Sequence, residues 1–187
     1  MRKPAVAAGA LALGVLAGCS GQEPAPEQPP TPSTETSEQP TLESVEPSIT
    51  REIPQEQRQR LARLPSERLC ELVTPDELGQ LAFPVQRGQP REVGFDPTLR
   101  GCSFEAQGGA RAVLLGAQPA GYGSLGDTEV DLGGTRGTQT LHVNDCTVFA
   151  DVEDATLQVV VTAPEAGSDQ CEAAQGIAQY TLAALVR

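Results

Sequence analysis

The chain has 187 residues, a net charge of −12 and no tryptophan. That length allows one domain with extensions, and an aromatic content of 3% leaves the core to Val, Leu and Ala. The acidity argues against a nucleic-acid binder, because phosphate contacts rest on Lys and Arg, and it sets the chain against anionic lipid head groups.

Met1-Arg2-Lys3 is a short basic start, and an apolar run of Ala, Leu, Val and Gly follows from Ala5 to Ala17. A charged start, an apolar stretch and small residues at its end make a secretory signal. The run is shorter than the ~20 apolar residues that span a bilayer. It closes on Leu16-Ala17-Gly18-Cys19, which resembles a lipobox at all four positions. The resemblance implies a signal peptide over 1–18, a thioether-linked diacylglycerol bearing palmitate-type chains on Cys19, and cleavage between Gly18 and Cys19. The competing reading is an ordinary signal peptide that leaves a soluble product. One acyl chain holds a protein to a membrane only marginally, whereas two hold it stably. The expected location is therefore the extracytoplasmic face of the cell membrane, with the lipid on Cys19 as the membrane contact.

Residues 19–56 are expected to form a disordered acidic tether. Eight prolines fall between Ser20 and Pro54, separated by Glu, Ser, Thr and Gln, and residues 20–57 carry eight Glu against one Arg. Such a composition buries too little to offset chain entropy. A coil of ~35 residues reaches about 30 Å. Thr31, Ser33, Thr34, Thr36 and Ser37 among the prolines also suit an O-glycosylated stalk.

A single disulfide-bonded domain is expected over 57–187. Gln55 to Leu64 can begin a helix that Pro65 stops. Thr74-Pro75-Asp76-Glu77 is a strong helix start, with Thr as N-cap, Pro at the first position and Glu closing a capping box. Pro84, Pro90 and Pro97 predict a loop from Val85 to Arg100. Alternation then marks strands at Cys102–Ala106, Arg111–Ala117, Thr138–Val143, Cys146–Val152 and Leu157–Val161, with turns between. Ser168 is read as the cap of a last helix over Asp169–Val186, with Cys171, Ala174, Ala178, Leu182 and Leu185 on one stripe. The fold class is α+β: an antiparallel meander of about five strands, packed by amino-terminal and carboxyl-terminal helices.

Five cysteines are present. With Cys19 lipidated, Cys70, Cys102, Cys146 and Cys171 remain, an even number suited to two disulfides in an oxidising compartment. Three pairings are possible. Cys70–Cys102 with Cys146–Cys171 is preferred, since elements adjacent in sequence are usually adjacent in space. Each would close a loop of roughly 25–35 residues and contribute about 3–4 kcal/mol. A four-cysteine zinc site is the rival, but no C-x-x-C pair is present.

Cys70-Glu71-Leu72-Val73-Thr74-Pro75-Asp76-Glu77-Leu78, Gly101-Cys102-Ser103-Phe104, Asp145-Cys146-Thr147-Val148 and Cys171 opening a final helix are similar to an actinobacterial lipoprotein family, domain of unknown function 3558. The resemblance covers Leu69 to Val186 and implies an extracytoplasmic lipoprotein with two structural disulfides. Phe104 stands where the family leads one to expect Trp, and Leu69 where a Pro is common.

Three patterns touch on chemistry. Gly121-Tyr122-Gly123-Ser124-Leu125-Gly126 fits G-x-G-x-x-G, which binds a dinucleotide only when a helix follows; residues 127–136 do not read as one. Asp127, Glu129 and Asp131 echo a calcium loop, but position 6 is Leu132 rather than Gly and position 12 is Thr138 rather than Glu. His142 is the only histidine; alternation turns it outward, and the Ser124 region lacks the first glycine of a nucleophile elbow. No catalytic residue, cofactor or metal is assigned.

The expected function is a non-enzymatic, membrane-anchored binding module for a protein, lipid or small envelope ligand. The alternatives are an envelope hydrolase or lipid-modifying enzyme using Ser124 or an acidic cluster, and a purely structural surface protein. Cys19→Ala is expected to leave an unprocessed or soluble protein. Continued fractionation with membranes at high salt would show that lipid on Cys19 is not the anchor.

Overall fold

The computed structural model describes residues 44–94 and 98–187. The expected signal peptide over 1–18, the expected lipidation site Cys19 and the expected tether up to residue 43 lie outside the described residues.

Seven antiparallel strands form one sheet: β1 (Gln89–Val93), β2 (Leu99–Glu105), β3 (Ala112–Pro119), β4 (Thr128–Asp131), β5 (Arg136–Leu141), β6 (Asp145–Val152) and β7 (Ala155–Thr162). Their spatial order is β1-β2-β3-β7-β6-β5-β4. The sheet is thus two meanders, β1-β2-β3 and β4-β5-β6-β7, joined where β3 pairs with β7 from Ala112↔Thr162 to Pro119↔Ala155.

Seven strands replace the five or so expected, and both additions are edges. β1 contains Pro90, which suggested a loop; an edge strand leaves one side unpaired, so a missing N–H there costs little. β4 pairs only with β5, from Thr128↔Gln139 to Asp131↔Arg136. It sits inside the glycine-rich stretch, where four residues give no usable alternation.

The expected alternation selects the face that meets the helices. Cys102, Phe104, Val113, Leu115, Ala117, Cys146, Val148, Ala150, Leu157, Val159 and Val161 are all buried. Thr147, Phe149 and Thr156 project to the opposite face yet are buried too. The glycine-rich loop folds over that side: the Gly126 N–H donates to Thr138 Oγ1 at 2.9 Å, and Thr138 pairs with Phe149.

Three helices cover the inner face: α1 (Ser66–Leu69), α2 (Pro75–Leu81) and α3 (Ser168–Leu182). The expected helix over Gln55–Leu64 is instead two short 3₁₀ turns, Gln55–Gln57 and Leu61–Arg63. α2 starts as its sequence predicts. The Glu77 N–H donates to Thr74 Oγ1 at 3.3 Å, and Glu77 Oε2 accepts from the Thr74 N–H at 2.7 Å. The last helix differs at both ends from the expected Asp169–Val186. Gly167 is its cap, with the Gly167 N–H donating to Gln170 Oε1 at 2.6 Å. Beyond Leu182 the chain leaves the helix and runs beside Gln59. The Gln59 N–H donates to Ala184 O at 2.9 Å, and the Val186 N–H donates to Gln59 O at 3.0 Å.

α3 presents Cys171, Ala174, Ile177, Ala178 and Leu182 to β6 and β7. Small residues let the helix sit close, while Ile177 and Leu182 are fully buried and each stabilises by about 1.5–3 kcal/mol. Disulfides join Cys70 to Cys102 and Cys146 to Cys171, the preferred pairing, each with a Cα–Cα distance of 5.1 Å.

The tether was expected to run to residue 56, but residues 45–53 lie on the domain as a strap along α3. Gln179 Nε2 donates to Val45 O at 2.7 Å, Ser48 Oγ donates to Gln80 O at 2.7 Å, and Ile49 and Ile53 pack half-buried on the core. Ile177→Ala is expected to lower the unfolding free energy by about 2–5 kcal/mol, read from urea denaturation of the oxidised protein. A change near zero would mean that α3 is not seated as described.

Candidate functional site

The glycine-rich loop holds the chain's own carboxylate. Asp151 Oδ1 accepts from the N–H groups of Gly121 and Gly123 at 3.3 and 3.1 Å, and from the Thr156 hydroxyl. The Tyr122 N–H in turn donates to Thr156 Oγ1 at 3.1 Å. A Cβ on Gly123 would lie 2.6 Å from the Asp151 carboxylate, so that glycine is required by close approach. No helix follows the loop; β4 does. Amides that cradle phosphate in a dinucleotide fold here donate to an acidic side chain of β6.

The other patterns are likewise taken up locally. Asp127 Oδ2 accepts from Thr140 Oγ1 at 2.6 Å, and Asp131 Oδ1 accepts from the Gly134 N–H at 2.7 Å. Among the described residues, no three His, Cys, Asp or Glu side chains gather as a metal-binding set. His142 is exposed, with its Nδ1 3.3 Å from Asp145 Oδ1. Ser124 lies exposed in the glycine-rich loop, and among the described residues no hydrogen bond links it to His142.

The residues that the fold does bring together lie at the seam between the strap and α3; of these the sequence singled out only Glu77, and that for its place in a helix cap. Arg51, on the strap, donates from Nε to Tyr180 O at 2.9 Å. Its guanidinium lies 4.1 Å above the centre of the Tyr180 ring, a contact that contributes about 0.5–2 kcal/mol. The Tyr180 hydroxyl donates to Glu77 Oε1. Burial by itself would raise the Glu77 carboxyl. Hydrogen bonds from Thr74 and Tyr180, together with the charge of Arg51, outweigh it and hold the group below its ordinary 4.5. Burial first, then the bond to Glu77 and its charge, push the Tyr180 hydroxyl upward. Strap, α3 and the start of α2 are thus joined in one chain of contacts.

Beside this seam opens a cleft of about 800 Å³, lined by three guanidiniums, Arg51, Arg58 and Arg187, with Ile53, Gln55 and Ala183 among its other walls. The pairing of Gln59 with Leu185 brings the two segments that carry Arg58 and Arg187 together, and both side chains line the cleft. Arg58 Nε donates to Ile53 O at 3.2 Å, and Arg187 Nη1 donates to Gly133 O at 3.3 Å. Arg187 thereby reaches the β4–β5 turn. Burial, and then the neighbouring charge of Arg58, lower the Arg187 guanidinium from its ordinary value. Among the described residues, Arg51 Nη2 is shielded from solvent and finds no hydrogen-bond partner. Glu52 is the only acidic side chain among the described residues that line the cleft. Among the described residues, no salt bridge joins any of these three arginines to a carboxylate. Nothing local in the sequence marks the set, because its members are separated by most of the chain.

A lowered folded-state pKa for Glu77 means a contribution to stability that is present above pH 4.5 and lost as pH falls through the folded value. Tyr180→Phe removes one hydrogen bond to that carboxylate, and is expected to cost about 1 kcal/mol at pH 7. The gap from the unsubstituted protein should narrow in urea titrations below pH 4.5. A gap that stays constant with pH would show that Glu77 is not the partner.

Residues 14–184 match the family model described as "Protein of unknown function (DUF3558)". No curated protein and no solved structure is similar to the chain at a significant level. The match spans nearly the whole sequence, from the end of the apolar leader to the last buried residues after α3, and so the chain belongs to the DUF3558 family.

Proposed function

We propose that this protein is an extracytoplasmic lipoprotein, held to the membrane by lipid on Cys19, whose domain binds a ligand rather than transforming one. The observation that carries the reading is the arginine-lined cleft beside the strap. It is concave, it is walled by the strap, the β4–β5 turn and the residues after α3, and among the described residues it includes an arginine donor that the fold does not use.

The side chains suited to catalysis are engaged elsewhere. Asp151 is bonded into the glycine-rich loop, Glu77 into the cap of α2, and Asp127 and Asp131 into the surroundings of β4. A hydrolytic site needs a nucleophile and a base within hydrogen-bond reach, and His142 and Ser124 do not meet that condition here. The anchor itself rests on the sequence at 16–19, and the two disulfides suit a compartment where such bonds persist.

A photo-crosslinking amino acid at Gln55, on the rim of the cleft, tests the reading in cells. A discrete adduct is expected from that position and not from Gln107, in the β2–β3 turn. Identical patterns of chance neighbours from both positions would count against a binding role for the cleft.

A further inference from the structure

We infer that the cleft between the strap and the end of α3 is an anion site, and that its ligand presents a phosphoryl group to Arg51, Arg58 and Arg187. This rests on reading the domain as a binding module and names the ligand chemistry of that same site.

The first ground is charge. The domain is acidic overall, with seventeen Asp and Glu against ten Arg over residues 58–187. Chance placement would therefore surround a basic side chain with carboxylates. The cleft is lined instead by three guanidiniums and one acidic side chain, Glu52. Bringing like charges together costs free energy, and the Arg187 guanidinium is lowered first by its burial and then by the charge of Arg58 beside it. A bound anion removes that cost.

The second ground is unused hydrogen-bonding capacity. A guanidinium has five N–H donors in a planar fork. The bonds found use Arg51 Nε, Arg58 Nε and Arg187 Nη1, and every acceptor is a backbone carbonyl. Among the described residues, Arg51 Nη2 is buried with no partner, although a shielded donor left unsatisfied costs about 1–3 kcal/mol. The stacking on Tyr180 fixes the plane of this guanidinium, so the free donors of Arg51 are pre-oriented rather than searching.

The third ground is the number of acceptors needed. A carboxylate has two oxygens, which one or two forks satisfy. Three forks lining one cleft suit the three or four oxygens of a phosphoryl group, and guanidinium–phosphate pairs form bidentate, charge-assisted bonds. Three arginines against one acidic side chain leave the lining positive in its side chains, which an anion offsets. The two sources of such a group are a soluble phosphate ester and the head group of a phospholipid.

The test uses the purified full-length protein and its Arg58→Gln, Arg187→Gln and doubly substituted forms. Each variant is checked for an unchanged far-ultraviolet spectrum and oxidised melting temperature, and Arg51 is left in place because it also fastens the strap. Inorganic phosphate is titrated at constant ionic strength, with acetate as the comparison anion. Saturable phosphate binding is expected, with an affinity about tenfold lower for each single variant, equivalent to one charge-assisted contact, and no detectable binding for the double variant. Sedimentation of the Cys19→Ala forms, which carry no lipid of their own, with phosphatidic acid vesicles against phosphatidylcholine vesicles separates the sources, because phosphatidic acid presents a phosphate monoester. Vesicle binding lost in the double variant assigns a lipid head group; phosphate binding without vesicle binding assigns a soluble ester. Absence of both, binding that survives the double substitution, or an equal response to acetate would overturn the proposal. A cleft-specific crosslink from Gln55 without phosphoryl binding would leave the binding role standing and remove only its assigned chemistry.

Discussion

Eight consecutive residue pairs between β3 and β7 hold this domain together. Without them the chain would be two meanders, one of three strands and one of four, each with a broad apolar face and little to cover it. Joined, they offer α3 a continuous floor of Val, Leu and Ala near the junction. The helix covers that floor because its own stripe is mostly small, so close approach adds dispersion contacts. Every later feature inherits its position from this layer: the strap runs along the exposed side of α3, and the cleft opens where α3 ends.

The two disulfides follow the same division. Cys70–Cys102 ties the end of α1 to β2 in the three-stranded half, and Cys146–Cys171 ties β6 to α3 in the four-stranded half. A domain with so few aromatic residues gains little from each buried side chain beyond aliphatic transfer. Covalent closure of each half, about 3–4 kcal/mol per loop, offsets that modest core.

Much of this layer was legible in the residues. Alternation at Cys102, Phe104 and Ala106, and again from Cys146 to Val152, marks strands because one face must be dry. Thr74-Pro75-Asp76-Glu77 fixes the start of α2 because its bonds are local. What stayed hidden was set by contacts distant in sequence. β1 is disguised by Pro90, harmless only because that strand is an edge. The strap resembles its Pro-rich surroundings, and Ile49 and Ile53 have no periodicity to announce that α3 will receive them. Phe149 lies on the face expected to be wet and is covered by a loop whose placement depends on Asp151. Arg51, Arg58 and Arg187 are unremarkable in sequence, and they meet only because Gln59 pairs with Leu185 and the strap returns along α3.

The arrangement of the disulfides also bears on how the chain can be assembled. The loops closed by residues 70–102 and 146–171 neither nest nor overlap. For a chain delivered amino end first, Cys70 and Cys102 are both present 44 residues before Cys146 emerges, and the lipid proposed on the Cys19 sulfur would leave them no other thiol to meet. The correct partner is met by order of arrival, and the second pair finds the first already consumed. The linear order of the cysteines therefore does some of the proofreading that an entangled set of bridges would leave to reshuffling.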